Sequence, residues 1–218
     1  MLNVSNLAMH FAGVPVFEGV NLVLQRGEFV ALLGESGVGK STLLNNIAGL
    51  EPVAAGSISV AGMALAGLDD AGLARLRRQH LGFVFQAFHV LPHLSVAENV
   101  SLPLRLLQRP HAARVSQVLQ ALGLAGLEAR MPAQLSGGQL QRVAIARAVV
   151  HEPGLILADE PTGNLDPGTA QRVLDALHAQ VRHTGAACLL ATHSLAAAQR
   201  ADRVLRLTPQ GVVAEAGI

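Results

Sequence analysis

A glycine-rich segment at residues 34–41, GESGVGKS, limits the possible folds of this chain more than any other feature. It fits the pattern G-x-x-x-x-G-K-[ST], in which backbone N–H groups surround the phosphates of a nucleotide. The apolar, uncharged run 29–33 precedes the segment, and residues 42–48 after it carry apolar side chains at helical spacing. Strand, loop and helix in this order are the context that the pattern requires. The sequence therefore predicts a phosphate-binding loop rather than an ordinary glycine turn.

Each residue type in this loop meets a physical demand. Glycines let the backbone turn sharply and bring its N–H groups close to phosphate oxygens, above the positive end of the next helix. Lys40 supplies positive charge for the β- and γ-phosphates, and the Ser41 hydroxyl suits Mg²⁺. The predicted nucleotide-binding residues of the loop are Gly34, Glu35, Ser36, Gly37, Val38, Gly39, Lys40, Ser41 and Thr42.

Length and composition limit the class of protein. A chain of 218 residues is long enough for one large domain, or for a core with a subdomain. Half of the residues are hydrophobic, but no apolar stretch reaches the about 20 residues that a membrane crossing needs. The first residues lack a basic segment, so we expect no secretory signal and a soluble cytoplasmic protein.

The charge and cysteine content exclude two further classes. The net charge is +1 and the basic residues are scattered, so nucleic acid is not an expected partner. The only cysteine, Cys188, rules out an intramolecular disulfide, and its apolar neighbours predict a buried strand.

Two adjacent carboxylates follow a second apolar run. Residues 155–158 are typical of a buried strand, and Asp159 and Glu160 come directly after them. Ligands of open parallel sheets bind at the carboxyl ends of the strands, so these acids are predicted beside the phosphate loop. Asp159 suits a Mg²⁺ shell, and Glu160 suits a base that polarises the attacking water. The alternative, a solvated acidic turn, is disfavoured once the phosphate loop is present.

A third motif, LSGGQ at residues 135–139, precedes a helical pattern over 140–147. Ser136 is a natural N-cap, and paired glycines at a helix start let an anion approach the exposed N–H groups. Alone, the segment is typical of an ordinary capped helix. Together with the phosphate loop, it resembles, letter for letter, the signature motif of the ATP-binding cassette (ABC) family, and the resemblance covers nearly the whole chain.

This resemblance implies roles for residues elsewhere. Gln86 is similar to the family's Q-loop glutamine, which links the metal and water region to the membrane partner. Asp166 lies in a segment that resembles the D-loop, and His193 resembles the switch histidine that contacts the γ-phosphate. The implied catalytic residues are Glu160, His193, Gln86 and Lys40; the implied metal ligands are Ser41, Gln86 and Asp159; and Ser136, Gly137, Gly138, Gln139 and Asp166 complete the implied nucleotide contacts.

One element departs from the family pattern. The family commonly stacks an aromatic residue, often Tyr, on adenine, but this chain has neither Tyr nor Trp. Phe11 is the candidate by spacing, with a core position as its alternative. His89 and His93 are four residues apart, but Pro92 argues against one helix that presents both to a metal. We interpret them as loop residues.

The resemblance also implies the fold: an α/β P-loop NTPase (RecA-like) core with an N-terminal antiparallel β subdomain and an inserted helical subdomain. The chain would form a single ABC domain, with the core at 1–85 and 154–218 and the helical subdomain at 86–153. The residues themselves indicate a βαβ unit, because the apolar runs 155–158 and 188–191 suit a parallel sheet and flank a helical pattern over about 169–183. Gly123 is a plausible helix stop.

Each motif occurs once in this chain. The resemblance therefore implies that the active sites form between two copies, and that each copy provides half of each of two composite sites. A second copy of the chain would pack head to tail around ATP and Mg²⁺, with the signature motif of one copy over the phosphate loop of the other. The segments 83–92 and 160–166 are similar to ATPases of lipoprotein-release, macrolide-export and cell-division type systems.

The implied function is ATP hydrolysis that powers an integral membrane permease, from the cytoplasmic face of the inner membrane. We expect docking through an exposed apolar patch formed by Phe88, Val90, Leu91 and Leu94. One alternative is a regulatory ABC ATPase that transmits force through a membrane protein and moves no substrate. Another is a soluble ABC protein of translation or DNA maintenance, which would usually need tandem cassettes, long coiled-coil arms or a basic face, and this sequence shows none of them.

Overall fold

Two β-sheets organise the chain in the computed structural model, which describes residues 1–215. The strands are β1 (Leu2–Phe11), β2 (Val14–Leu24), β3 (Phe29–Leu33), β4 (Ala55–Val60), β5 (Met63–Ala64), β6 (Leu81–Val84), β7 (Leu155–Asp159), β8 (Ala187–Thr192), β9 (Arg203–Thr208) and β10 (Gly211–Ala214). The helices are α1 (Lys40–Ile47), α2 (Asp70–His80), α3 (Val96–Leu106), α4 (Ala112–Ala121), α5 (Gly137–Val149), α6 (Pro167–Thr184) and α7 (Leu195–Ala198), with a short 3-10 helix at Pro132–Gln134.

The first sheet is antiparallel, in the order β2-β1-β4-β5, and confirms the predicted N-terminal β subdomain. Its strands alternate between buried and exposed side chains, as in Leu2, Asn3 and Val4, because one face packs on the core and the other meets water. The buried face shares a hydrophobic core with α1, to which Phe17 and Ile47 both contribute.

The second sheet has the order β10-β9-β3-β8-β7-β6, and its strands from β9 to β6 are parallel. Every residue of β3 and β8 is buried, which explains why these segments are uninterrupted apolar runs. The predicted βαβ unit is confirmed, since β7 and β8 pair in parallel on either side of α6. Cys188 is buried in β8 as predicted, and burial raises the pKa of its thiol.

Helices α3, α4 and α5 lie between β6 and β7 in the chain, as the predicted helical insertion requires. They share one core with a face of the parallel sheet, in which Val100, Leu119 and Ile145 cluster with Ile156. Gly123 ends α4 in a left-handed conformation, with φ of +64°, so the predicted helix stop is confirmed. Within residues 1–215, no helix combines the length and apolarity that a membrane span needs.

Candidate active site at the strand ends

Four neighbouring parallel strands end at one edge of the sheet, in the order β3-β8-β7-β6. The phosphate loop follows β3, His193 follows β8, Glu160 follows β7, and Gln86 comes two residues after β6. The edge therefore brings together residues that lie far apart in the chain. They surround a cavity of about 310 Å³, lined by Ser36, Gly37, Gly39, Lys40, Ser41, Thr42, Gln86, Glu160 and His193.

The phosphate loop depends on glycine at two positions. Gly39 has φ of +103°, and a Cβ there would lie 2.6 Å from Cγ1 of Val16. A Cβ at Gly34 would lie 2.7 Å from Cγ1 of Val38. Lys40 is the first residue of α1, and its ammonium donates to the carbonyls of Gly34 at 2.8 Å and Glu35 at 3.0 Å. The lysine charge is thus held within the loop, at the N-terminus of a helix.

The carboxylate of Glu160 lies between the imidazole of His193 and the ammonium of Lys40. One carboxylate oxygen is 3.0 Å from Nδ1 of His193, and the other is 3.6 Å from Nζ of Lys40. The Glu160 side chain is only 12% exposed. The backbone N–H of Glu160 donates to the carbonyl of Ala191 at 2.9 Å. Its φ of +44° is uncommon for a residue with a side chain, and such strained conformations cluster at functional sites. The backbone therefore fixes this carboxylate at the cavity wall.

Asp159 has the environment of a metal ligand. Burial raises the pKa of its carboxyl group, the neighbouring Glu160 charge raises it further, and Ser41 and Lys40 oppose the shift. Its Oδ1 is buried and has no hydrogen-bond partner within the described part of the chain. Ser41 and Asp159 therefore fit Mg²⁺, which takes one or two protein oxygens together with phosphates and water.

The signature motif lies outside this cavity. Ser136 caps α5 as predicted: its hydroxyl accepts from the N–H of Gln139 at 3.3 Å, and the Gln139 side chain accepts from the N–H of Ser136 at 2.8 Å. Gly138 is buried, and a Cβ there would lie 2.3 Å from Cγ2 of Thr169. Ser136, Gly137, Gly138 and Gln139 are all absent from the lining of the phosphate cavity in their own chain.

Asp166 and Phe11 are also outside the cavity lining. Asp166 caps α6, where its carboxylate accepts from the Thr169 N–H at 3.0 Å, and this hydrogen bonding with Thr169 lowers the pKa of Asp166. Phe11 ends β1 opposite Val14 and is 52% exposed, so the alternative of a core position is wrong. Its stacking on adenine stays a prediction.

The structure adds supporting residues that the sequence analysis missed. Val16 and Phe17 on β2 pack directly behind the phosphate loop, where Cδ1 of Phe17 would lie 3.1 Å from a Cβ at Gly39. Phe17 is fully buried. Their sequence signal is only a short apolar run, VPVF at residues 14–17, which does not point to a phosphate loop.

The predicted apolar patch is less exposed than expected. Leu91 is 45% exposed, but Phe88, Val90 and Leu94 are partly buried, and Val90 packs against the core. Two side chains from other helices hold this loop: the buried amide of Asn99 on α3 donates to the carbonyls of Leu91 and Leu94, and Arg147 on α5 donates to the carbonyl of Phe88.

An apolar groove of about 490 Å³ lies beside this loop instead. It runs between α2, β6, α3 and α5, and its lining includes Leu81, Phe83, Phe85, Leu102, Pro103 and Leu106. Leu106 is 61% exposed. Arg77, Arg78 and Arg147 also line this groove, which we call the α2/α3 groove. His89 is a loop residue that also lines the α2/α3 groove. Within residues 1–215, no group of three or more His, Cys, Asp or Glu side chains could hold a metal ion.

Comparison with known proteins supports the geometry. The profile of the ABC transporter family matches residues 17–163. The lipoprotein-releasing system ATP-binding protein LolD of Ruegeria sp. (strain TM1040) is 49% identical, over 94% of this chain and 93% of that protein. The ABC transporter ATP-binding protein YbbA of Escherichia coli (strain K12) is 45% identical, over 89% of this chain and 86% of that protein.

Solved structures show the same fold. The dimeric ABC transporter cassette MJ0796 superposes with a TM-score of 0.87 at 34% identity, and both chains are covered in full. A post-hydrolysis dimer of MJ0796 with bound ADP and Pi gives the same values. The present chain therefore belongs to the ABC transporter family and is an ATPase, which hydrolyses ATP to ADP and phosphate on the P-loop NTPase fold.

Proposed function

We propose that this chain is the ATP-hydrolysing subunit of a lipoprotein-release type system. In this proposal it dimerises head to tail around ATP and powers an integral membrane permease. One observation carries the dimer: each motif occurs once, and the signature residues do not line the phosphate cavity of their own chain. A second copy supplies them. The 49% identity to a LolD protein supports the type of system.

The residues at the cavity have different roles in ATP hydrolysis. Lys40 and the N–H groups of the loop hold the phosphates, and Ser41 and Asp159, with Gln86, would hold Mg²⁺. When bound, Mg²⁺ neutralises phosphate charge. Glu160 orients the attacking water and accepts its proton, and His193 fixes the Glu160 carboxylate, which lies 3.0 Å from its ring.

The second copy completes the electrostatics of the site. Ser136, Gly138 and Gln139 of the partner donate hydrogen bonds to the γ-phosphate, at the exposed N-terminus of the partner's α5. ATP then bridges two chains, and hydrolysis removes the bridge. The phosphoryl group needs mainly correct placement and charge neutralisation, which a site closed from both sides provides.

The α2/α3 groove is the proposed docking site of the permease. It is an apolar groove whose lining includes Phe85 and His89, on either side of Gln86 in the chain, and Leu106 is 61% exposed there. Solvent-exposed apolar patches of this kind mark interaction sites. A cytoplasmic segment of the permease with apolar side chains fits the groove, and this contact would hold the chain on the cytoplasmic face of the inner membrane.

A disulfide experiment tests the head-to-tail dimer. The native Cys188 is fully buried, so new surface cysteines can be introduced without removing it. Chains with Ser36→Cys and chains with Ser136→Cys, both also carrying Glu160→Gln to slow hydrolysis, are mixed with Mg²⁺ and ATP under mild oxidation. We expect a disulfide-linked dimer of one chain of each kind, formed only with nucleotide.

The matched control replaces the signature cysteine by Gln79→Cys, an exposed position on α2. This pair should give no ATP-dependent dimer. Absence of a mixed disulfide with Ser136→Cys, or an equal yield with Gln79→Cys, would refute the head-to-tail arrangement.

A further inference from the structure

The segment 85–89, which contains Gln86, is attached to helix α5 at both of its ends. At one end, the fully buried Gln141 donates from Nε2 to the carbonyl of Phe85, at 3.4 Å. At the other end, the guanidinium of Arg147 donates to the carbonyls of His89 at 2.6 Å and Phe88 at 3.3 Å. These contacts join residues 56 to 59 positions apart in the sequence.

The Arg147 end of the segment is a strained turn. Phe88 and His89 both have positive φ, of +59° and +49°. The N–H of His89 donates back to the carbonyl of Ala87 at 2.6 Å, which closes a three-residue turn. Two consecutive side-chain-bearing residues in this region are unfavourable unless the surroundings hold them. The planar guanidinium does so, because its fork reaches both carbonyls at once.

Helix α5 links this turn to the signature motif. The helix starts at Gly137, directly after Ser136, and Arg147 lies near its other end. A helix of 13 residues is a stiff rod, roughly 20 Å long. Gln86 itself lines the phosphate cavity with Lys40 and Glu160. Arg147 therefore belongs to α5, the helix that begins with the signature motif and is called the signature helix below. It contacts the segment that carries Gln86 to the nucleotide cavity, and it also lines the α2/α3 groove.

We propose that Arg147 is a positioning residue for ATP hydrolysis. It fixes the turn at residues 87–89 and so holds Gln86 in its place at the cavity, in a constant relation to the signature helix. The inference rests on the proposed role of Gln86. Loss of the guanidinium frees the turn to relax out of its left-handed conformation, and Gln86 then loses its position while the phosphate loop keeps its own.

A double-mutant cycle in the full-length chain tests this relation. The turnover number kcat and the KM for ATP are measured for the wild type, Arg147→Gln, Gln86→Ala and the double variant. We expect roughly a 10-fold fall in kcat for each single variant, with KM nearly unchanged, because misplaced groups impair chemistry more than binding. The double variant should equal Gln86→Ala alone, since Arg147 acts only through Gln86.

Two further variants separate positioning from stability. Arg147→Lys should lose less kcat than Arg147→Gln, because an ammonium can bond one of the two carbonyls. Arg114→Gln is the matched control: Arg114 is also part-buried and donates to the carbonyl of Val150, but it does not touch residues 85–89. Any fold-loss of kcat caused by Arg114→Gln should multiply with the fold-loss caused by Gln86→Ala, as expected for two residues that act independently.

Three outcomes would overturn the proposal. A wild-type kcat in Arg147→Gln would show that Arg147 does not position Gln86. Multiplicative effects of Arg147→Gln and Gln86→Ala show that Arg147 acts by another route, while the proposed function of Gln86 stands. A wild-type kcat in Gln86→Ala rejects the role of Gln86 and the inference with it. If Arg147→Gln does not fold, the cycle is run with Arg147→Met, which keeps an unbranched side chain but removes both hydrogen bonds, and the same three outcomes apply.

Discussion

The sharpest prediction concerns Glu160→Gln, which removes one charge and keeps the size of the side chain. The side chain is 12% exposed and lies 3.0 Å from His193 and 3.6 Å from Lys40, so the substitution removes the carboxylate charge from a largely buried position beside both groups. Gln can adopt the same backbone conformation and still accept a hydrogen bond from His193. The variant should therefore fold and bind ATP through an unchanged phosphate loop.

The expected loss of turnover follows from the chemistry assigned to this carboxylate. A positioned general base contributes roughly 10²–10⁴-fold to rate, which is about 3–5 kcal/mol of transition-state stabilisation. ATP affinity should be unchanged or higher, because Lys40 no longer divides its charge between Glu160 and the phosphates. Slow hydrolysis should then leave the ATP-bridged dimer intact.

The assay combines phosphate release at saturating ATP, ATP binding by calorimetry, and molar mass by light scattering after size exclusion. Glu152→Gln serves as the control, because Glu152 is 66% exposed and pairs with Arg114 far from the cavity. Its turnover should match the wild type. Hydrolysis by Glu160→Gln at the wild-type rate would refute the role of Glu160, and loss of ATP binding would show that the carboxylate organises the loop instead.

Two other predictions test the groove and the acid stability of the fold. Leu106→Ser should leave melting temperature and basal hydrolysis nearly unchanged but prevent copurification with the permease, whereas Leu50→Ser, 49% exposed outside the groove, should retain it; equal retention would contradict docking there. Burial lowers the pKa of His151 below its usual 6.5, so the unfolded chain binds more protons and the free energy of unfolding should fall as pH drops from about 7 through 6.5 toward the folded value. His151→Leu should remove this slope in urea titrations between about pH 5 and 7, and an unchanged slope would show that other groups cause it.

Strong local signals in the sequence predicted several elements of the fold. Uninterrupted apolar runs gave the strands β3, β7 and β8, and the helix predicted over 169–183 is α6. The helix begins earlier, at Pro167, because Asp166 caps it and proline suits the first turn. The phosphate loop and the N-cap at Ser136 were predictable because their function demands particular residue types at fixed spacing.

Other features could not be found this way. Helix α2 was missed because Leu76 is its only buried residue, so it lacks the apolar periodicity of a packed helix. The exposure of the apolar patch could not be predicted, because Asn99 and Arg147 contact its loop from other helices, and Arg147 is 58 residues away from His89 in the chain. The contact of Glu160 with His193 likewise depends on which strands are neighbours. The role of Phe11 and the subdomain boundaries at residues 86 and 153 stay predictions.

The place of β6 in the sheet makes the two walls of the nucleotide cavity mechanically unequal. Strands β3 and β8, which lead to the phosphate loop and His193, are hydrogen-bonded on both sides, whereas β6 is an edge strand bonded to β7 alone through four residue pairs. We therefore expect the wall that binds phosphate to be stiffer than the wall that carries Gln86. A pull at the α2/α3 groove would therefore move Gln86 together with helix α5, to which its segment is attached, relative to the phosphate loop in the sheet interior.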